Sequence, residues 1–226
     1  MQRLGFAALI GLGGLAVLIY LGVWQVQRLA WKQGLLTEIS AEIASDPIPL
    51  NTALDDGAPR YTPVATQGVF GDGHIRMLAS RKSTGPVFRI IRPFETDDAG
   101  RVLIDTGWIK DGSAVPDVPT GLVSLLGNLD NPNEADGFTP DPDLENNMWF
   151  ARDVPAMAAV LDTQPILVVL REPASPRLGL TPWPVSPDGI PNDHLQYAIT
   201  WFSLAIIWAG MTFAFVRRVP RTTKEV

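Results

Sequence analysis

The sequence contains no cysteine and only two histidines, His74 and His194. The lack of thiols excludes thiol-based redox chemistry, thiolate copper transfer and cysteine-bound zinc or iron–sulfur sites. A metal centre built from several histidines of this one chain is not expected either. The missing cysteines do not identify a compartment, because a domain of this size can fold without disulfides.

Motifs of enzyme chemistry and basic patches are also missing. The chain has no G-x-S-x-G, P-loop or H-E-x-x-H pattern, and we therefore expect that the protein is not an enzyme. Its 24 acidic residues outnumber its 18 lysines and arginines, which gives a formal net charge of −6. Nucleic-acid binding depends on a basic patch, so no nucleic-acid partner is expected.

Two long runs without charge lie at the two ends of the chain. Leu4 to Trp24 is 21 residues, and Tyr197 to Val216 is 20 residues. Each run can cross a hydrocarbon core of about 30 Å at a rise of about 1.5 Å per residue. The first run is too long for a signal-peptide core and no small-x-small cleavage site follows it, so we expect a retained anchor. Membrane lipid is therefore an expected partner.

The two runs divide the chain into five regions. These are the amino terminus (1–3), a first transmembrane helix (4–26), a large outer domain (27–193), a second transmembrane helix (194–216) and a basic tail (217–226). Four basic residues follow the second run, whereas the inner flanks carry only Arg28 and Lys32. The positive-inside rule then places both termini in the cytoplasm and the large domain in the periplasm, or in the intermembrane space of a mitochondrion.

The large domain has the pattern of a β-rich fold. A helix that continues from the first span should end at Ser45-Asp46-Pro47. Six apolar segments between turn residues follow as predicted strands: 61–70, 75–79, 87–93, 102–109, 122–129 and 165–170. Asp153 and Pro155 predict one short helix that ends near Leu161. This α+β pattern favours an antiparallel sheet or small barrel with one inserted helix.

Two features of the sequence concern the connections between these parts. Six prolines in residues 173–191 predict a stiff, extended connector and not a core element. Residues 11–16 match the G-x-G-x-x-A dinucleotide pattern, but they lie inside an apolar run without the required strand. We expect small residues such as Gly11 and Ala205 to allow close helix packing, between the two spans or with a partner.

His194 lies three residues before the second run, at the expected outer surface of the membrane. Two interpretations are open. The side chain can be an interfacial anchor, or its neutral imidazole can be an axial ligand of a haem iron. Tyr197 and Trp201 follow at i+3 and i+7, so they share a helix face with His194.

The end of the first run lies at the same expected level. Trp24 and Arg28 share a helix face there, and Lys32 follows one turn later. A tryptophan at this level is an ordinary interfacial residue. Arg28 and Lys32 oppose the positive-inside rule, and they can pair with lipid headgroups or with anionic groups such as haem propionates.

Several segments in order resemble the Surfeit locus protein 1 family, membrane-anchored assembly factors of cytochrome c oxidase. The matching segments are residues 21–32, 60–64, 68–70, 105–109, 147–153 and 191–202. Two positions depart from the family pattern. Asn192-Asp193 stand where the family often has two asparagines, and Thr106 stands where it often has arginine.

The resemblance implies a membrane hairpin with a β-rich outer domain and a role in inserting haem a into subunit I of the oxidase. It implies that His194 binds haem a, as a ligand of the haem iron. We expect Tyr197, Trp201, Arg28 and Trp24 to complete that site. Expected partners are subunit I and assembly intermediates, with haem a synthase as a further candidate. The expected location is the bacterial inner membrane, or the mitochondrial inner membrane in a eukaryote.

One alternative function remains open at this point. The protein can be a structural interaction subunit that stays bound to a respiratory oxidase complex and scaffolds it. Haem a bound after purification favours the assembly factor, and stoichiometric retention in the mature oxidase without haem favours the structural subunit.

Overall fold

The computed structural model describes residues 2–174 and 179–218, which form two compact units. One unit contains the two ends of the chain, up to Glu38 and from Asp188, and the other is Ile39–Pro187. The helices are α1 (Gln2–Ala44), α2 (Leu50–Asp55), α3 (Val154–Leu161) and α4 (His194–Arg218). The strands are β1 (Ile48–Pro49), β2 (Pro63–Phe70), β3 (Ile75–Arg81), β4 (Gly85–Thr96), β5 (Arg101–Lys110), β6 (Val123–Asp130), β7 (Met148–Trp149) and β8 (Leu167–Leu170).

The first unit consists mainly of α1 and α4, which are both long and apolar enough to cross a membrane by length and composition. The predicted continuation of α1 as far as Ser45 is confirmed. The predicted second span corresponds to α4, which begins at His194 and includes Arg217 and Arg218 from the basic tail. Residues 219–226, the rest of that tail, lie outside the described residues.

Glycines of α1 allow α4 to approach closely. A Cβ atom added at Gly14 would lie 2.7 Å from the ring of Trp208, and one at Gly22 would lie 2.7 Å from the ring of Phe202. The indole Nε1 of Trp208 donates to the carbonyl oxygen of Gly11 at 2.8 Å. The expectation that small residues let the two spans pack on each other is therefore confirmed. Gly210, a small residue of α4, does not take part in this contact, because a Cβ added there would meet no atom within 4 Å.

The second unit is built on a closed barrel of five strands in the order β2-β6-β8-β5-β4, with β4 pairing back to β2. The predicted β-rich fold and the barrel are confirmed. The barrel is not antiparallel throughout, because β5 and β8 are parallel, and β1 with β2 and β3 with β7 are parallel pairs as well. A parallel pair needs a long connection, and the chain between β5 and β8 supplies it.

Two apolar clusters cover the two faces of the barrel sheet. All five barrel strands contribute to the first, which includes Phe94 and Ile104 and therefore fills the interior; α2 adds Leu50 and Ala53. The second lies on the outer face, where α3 packs Met157 against Ile91 and Leu103.

Helix α3 begins as the sequence predicts. The Asp153 carboxylate accepts the backbone N–H of Ala156 at 3.1 Å, and Pro155 lies in the first turn. Such a cap satisfies one of the free N–H groups at the start of a helix. The sequence did not reveal α2 or the two-residue strands β1 and β7.

The proline-rich segment was predicted to be a stiff, extended connector and not a core element, but residues 180 and 181 pack on the barrel domain. Thr181 pairs with Trp108 through backbone hydrogen bonds of 2.9 and 3.2 Å, and Leu180 is buried beside Phe88. Gly107 makes this approach possible, because its φ of 114° and the nearby Thr181 carbonyl leave no room for a Cβ. Residues 175–178 of the segment lie outside the described residues.

Candidate functional site

A polar pair joins α1 and α4 within the helical unit. His194 Nδ1 lies 2.7 Å from Oε1 of Gln25, and Gln25 is only 8% exposed. An amide oxygen can only accept a hydrogen bond, so Nδ1 carries the proton in this arrangement. In the neutral imidazole with this tautomer, Nε2 of His194 keeps the lone pair that a metal ligand needs.

The packing of the helices brings these two residues together. Gly11, Gly14, Gly22 and Gln25 recur at helical spacing, so they form one stripe along α1. The corresponding stripe of α4 includes His194 together with the residues at positions 198, 201 and 205, of which Ala198 and Ala205 are buried. The close contact at the glycines therefore also sets Gln25 against His194.

The structure separates the two aromatic residues that follow His194. Trp201 is half-buried and lies in line with the packed stripe of α4. Tyr197 lies to one side of the stripe and is exposed. The shared face that the sequence suggested is therefore divided, and Tyr197 is the more accessible of the two rings.

The predicted residues on α1 lie beside each other and are exposed. Trp24 is exposed one residue before Gln25, and the guanidinium of Arg28 stacks 3.9 Å from the ring centre of Trp31. Stacking uses the face of a guanidinium and leaves its N–H edge able to bind an anionic group. Lys32 is half-buried on the same helix.

Two residues near His194 were missed by the sequence reasoning as site residues. One is Gln25, which the sequence could have indicated because this polar residue lies in line with the glycine stripe of α1. The other is Asn192, whose side-chain Oδ1 is buried and accepts no hydrogen bond from any described residue. Buried acceptors normally receive a hydrogen bond. The unpaired Oδ1 of Asn192, two residues before His194, therefore marks a place where a further group could bind.

These residues fit a haem group by their chemistry. His194 offers an imidazole nitrogen, Arg28 offers a cation for a propionate, and Tyr197 and Trp24 offer exposed rings. Haem binding uses this combination of one axial ligand, cationic groups and apolar surroundings.

Comparison with known proteins identifies the family of the chain. The SURF1 family profile matches residues 12–206. Surfeit locus protein 1 of Mus musculus is 28% identical over 88% of this chain and 72% of its own length. The Homo sapiens protein of that name is 27% identical over 88% and 74%, and a SURF1-like protein of Monosiga brevicollis is 29% identical over 88% and 82%. The chain belongs to the SURF1 family.

Proposed function

We propose that this protein is a non-enzymatic, membrane-anchored assembly factor for cytochrome c oxidase that binds haem a at His194 and assists its insertion into subunit I. Membership of the SURF1 family supports the assembly role. The main support for haem binding is the contact of His194 Nδ1 with Gln25 Oε1, because it leaves Nε2 free to bind the haem iron.

Each residue of the candidate site has a separate task in this proposal. Gln25 holds the proton of Nδ1 and orients the imidazole of His194. Arg28 and Lys32 neutralise propionates, and Tyr197 and Trp24 shield the macrocycle. When bound, haem a supplies an iron that accepts the Nε2 lone pair. A single protein ligand allows the group to be passed to a partner, since only one bond from the protein must break.

The same proposal places the protein in the membrane as a hairpin. Both termini face the cytoplasm, and the barrel domain faces the periplasm or the intermembrane space, where it meets subunit I, assembly intermediates and haem a synthase. Because the sequence has no cysteine, single introduced cysteines report topology without background. A cysteine at Phe138, which is 96% exposed, should react only with reagent from the outer side. Reaction only from the cytoplasmic side would refute this topology.

Haem binding is tested with variants expressed in cells that make haem a. His194→Ala should lose the haem spectrum and yield less haem-loaded oxidase, whereas His74→Ala should keep the haem spectrum of the parent protein. Gln25→Leu, which keeps the apolar packing and removes the acceptor, should lower haem affinity about 10- to 100-fold. If His194→Ala binds haem a with unchanged stoichiometry and spectrum, ligation by His194 is wrong. Copurification of that variant with mature oxidase would then favour the structural-subunit alternative.

A further inference from the structure

The pairing along one edge of β4 is interrupted at Arg92 and Pro93. β2 pairs with β4 at residues 94–96, and β3 pairs with it at residues 85–91. Residues 71–74 connect β2 to β3 and lie opposite the gap, where the Gly71 N–H donates to the Pro93 carbonyl at 3.0 Å. The register of β3 and β4, continued by one residue, sets His74 opposite Arg92.

Three basic side chains share one face of the sheet at this gap. Arg76 lies opposite Ile90, and side chains two residues apart in a strand point to the same face. His74 and Arg76 are therefore on the face that also carries Ile90 and Arg92. Asn147 holds this edge in place, because its amide donates to the His74 carbonyl at 2.8 Å and accepts the Arg76 N–H at 3.3 Å.

Arg92 is a buried cation that forms no ion pair with the described residues. It is 5% exposed, and its Nη2 donates to the Pro116 carbonyl at 2.5 Å, but its buried Nε has no partner among residues 2–174 and 179–218. Asp117 acts on it electrostatically but is exposed and forms no ion pair with it within the described chain. Buried arginines are normally paired with carboxylates, as Arg89 is with Asp105.

Arg76 also has an unused donor. Its guanidinium stacks 4.1 Å from the ring centre of Phe88, and its buried Nε finds no acceptor in the described part of the chain. Burial lowers the pKa of His74, and the charges of Arg92 and Arg76 lower it further. The gap in the β4 pairing therefore combines positive charge with free N–H donors.

We propose that His74, Arg76 and Arg92 form an oxyanion-binding site, separate from the haem site, that takes a carboxylate or a phosphate group. Guanidinium groups present paired N–H donors that match the oxygens of these two groups. The anion supplies the acceptors that both Nε atoms lack, and it offsets the repulsion among three basic groups.

The site can be tested by NMR on the full-length protein in detergent micelles. The sequence has only two histidines, so the ring signals of His74 are assigned by comparison with His194→Gln. The probes are inorganic phosphate and succinate, with sodium chloride at matched ionic strength. We expect a saturable shift of the His74 signals with phosphate or succinate, and the stronger probe identifies the preferred group. The bound anion should also raise the pKa of His74, since Arg76 and Arg92 become screened and Asp117 is unchanged.

Matched variants separate binding from general screening. Arg76→Gln and Arg92→Gln should each weaken the response at least tenfold, whereas Lys82→Gln removes the same charge at an exposed position of the β3–β4 turn and should change nothing. If Arg92→Gln does not fold, the test depends on Arg76→Gln, which is expected to fold because Arg76 is less buried than Arg92. The site is disproved if neither probe shifts His74, or if the shift persists unchanged in Arg76→Gln.

Discussion

The Arg89 Nε donates to Oδ2 of Asp105 at 2.6 Å across β4 and β5, and both side chains are buried. Asp105 also accepts the backbone N–H of Gly107 at 3.1 Å, and Arg89 also donates to the Trp183 carbonyl at 3.0 Å. This one ion pair therefore connects two barrel strands with the proline-rich segment.

Removing the charge of Asp105 should strongly destabilise the domain. Asp105→Asn leaves the guanidinium of Arg89 buried without its ion-pair partner, which costs roughly 3–5 kcal/mol of unfolding free energy. Urea unfolding of the full-length protein measures this loss. The matched control is Asp162→Asn, because Asp162 is 99% exposed in its side chain and lies 3.6 Å from Arg101, so little change is expected there. Equal stability of the two variants would contradict the prediction.

Trp183 should hold the proline-rich segment on the barrel. Arg81 lies 4.7 Å from the Trp183 ring centre and 4.8 Å from that of Trp108. Trp183→Ala removes one side of this stack, so the segment near Thr181 should be cut faster by limited proteolysis while the barrel stays folded. Trp31→Ala is the control, since Trp31 is exposed on α1. The same cutting rate in both variants would mean that the backbone pairing alone fixes the segment.

Local sequence patterns predicted most of the helices and strands, but they did not predict which distant strands pair with each other. Asp153 and Pro155 identified α3 because a helix cap is made by neighbouring residues. The parallel pairing of β8 with β5 joins Leu167 to Leu103, and no local pattern encodes that register. β1 and α2 were missed because Pro47 and Pro49 obscure any short element.

The candidate site was partly visible in the sequence for the same reason. His194 stands out as one of two histidines at the edge of an apolar run. The role of Gln25 depends on the register in which α1 packs against α4, which the spacing within either helix alone does not define. Arg92 looked like an ordinary strand residue, and only its burial without a partner distinguishes it.

Glu134 should make the stability of the barrel domain depend on pH. Burial acts to raise its pKa, but the hydrogen bonds and charge of Arg152 outweigh this, and the net pKa lies below the ordinary 4.5. A lowered pKa in the folded state contributes stability that is complete above pH 4.5 and is lost as the pH falls through the folded value. Glu134→Gln should therefore be less stable than the parent protein at pH 7, and the difference should shrink at pH 3.

Urea unfolding at both pH values tests this, with Glu145→Gln as the matched control. Glu145 is exposed in the same connection between β6 and β7 and forms no ion pair in the described chain. The effect of Glu134→Gln beyond that of Glu145→Gln isolates the contact with Arg152. A difference from the parent protein that grows as the pH falls would have the wrong sign and would rule out this role of Glu134.

Gly14 should be essential for the contact between α1 and α4, whereas its neighbour Gly13 should not. A Cβ at Gly14 would lie 2.7 Å from the Trp208 ring and push it from the Gly11 carbonyl, but a Cβ at Gly13 would meet nothing within 4 Å. Both glycine-to-alanine changes raise intrinsic helix propensity by about 1 kcal/mol, so their difference reports helix packing alone. In SDS titrations followed by tryptophan fluorescence, Gly13→Ala should match or exceed the parent protein, and Gly14→Ala should unfold at lower SDS. Because the same stripe holds Gln25 against His194, Gly14→Ala should also reduce haem retention. Equal behaviour of Gly13→Ala and Gly14→Ala would show that this helix contact does not support the candidate haem site.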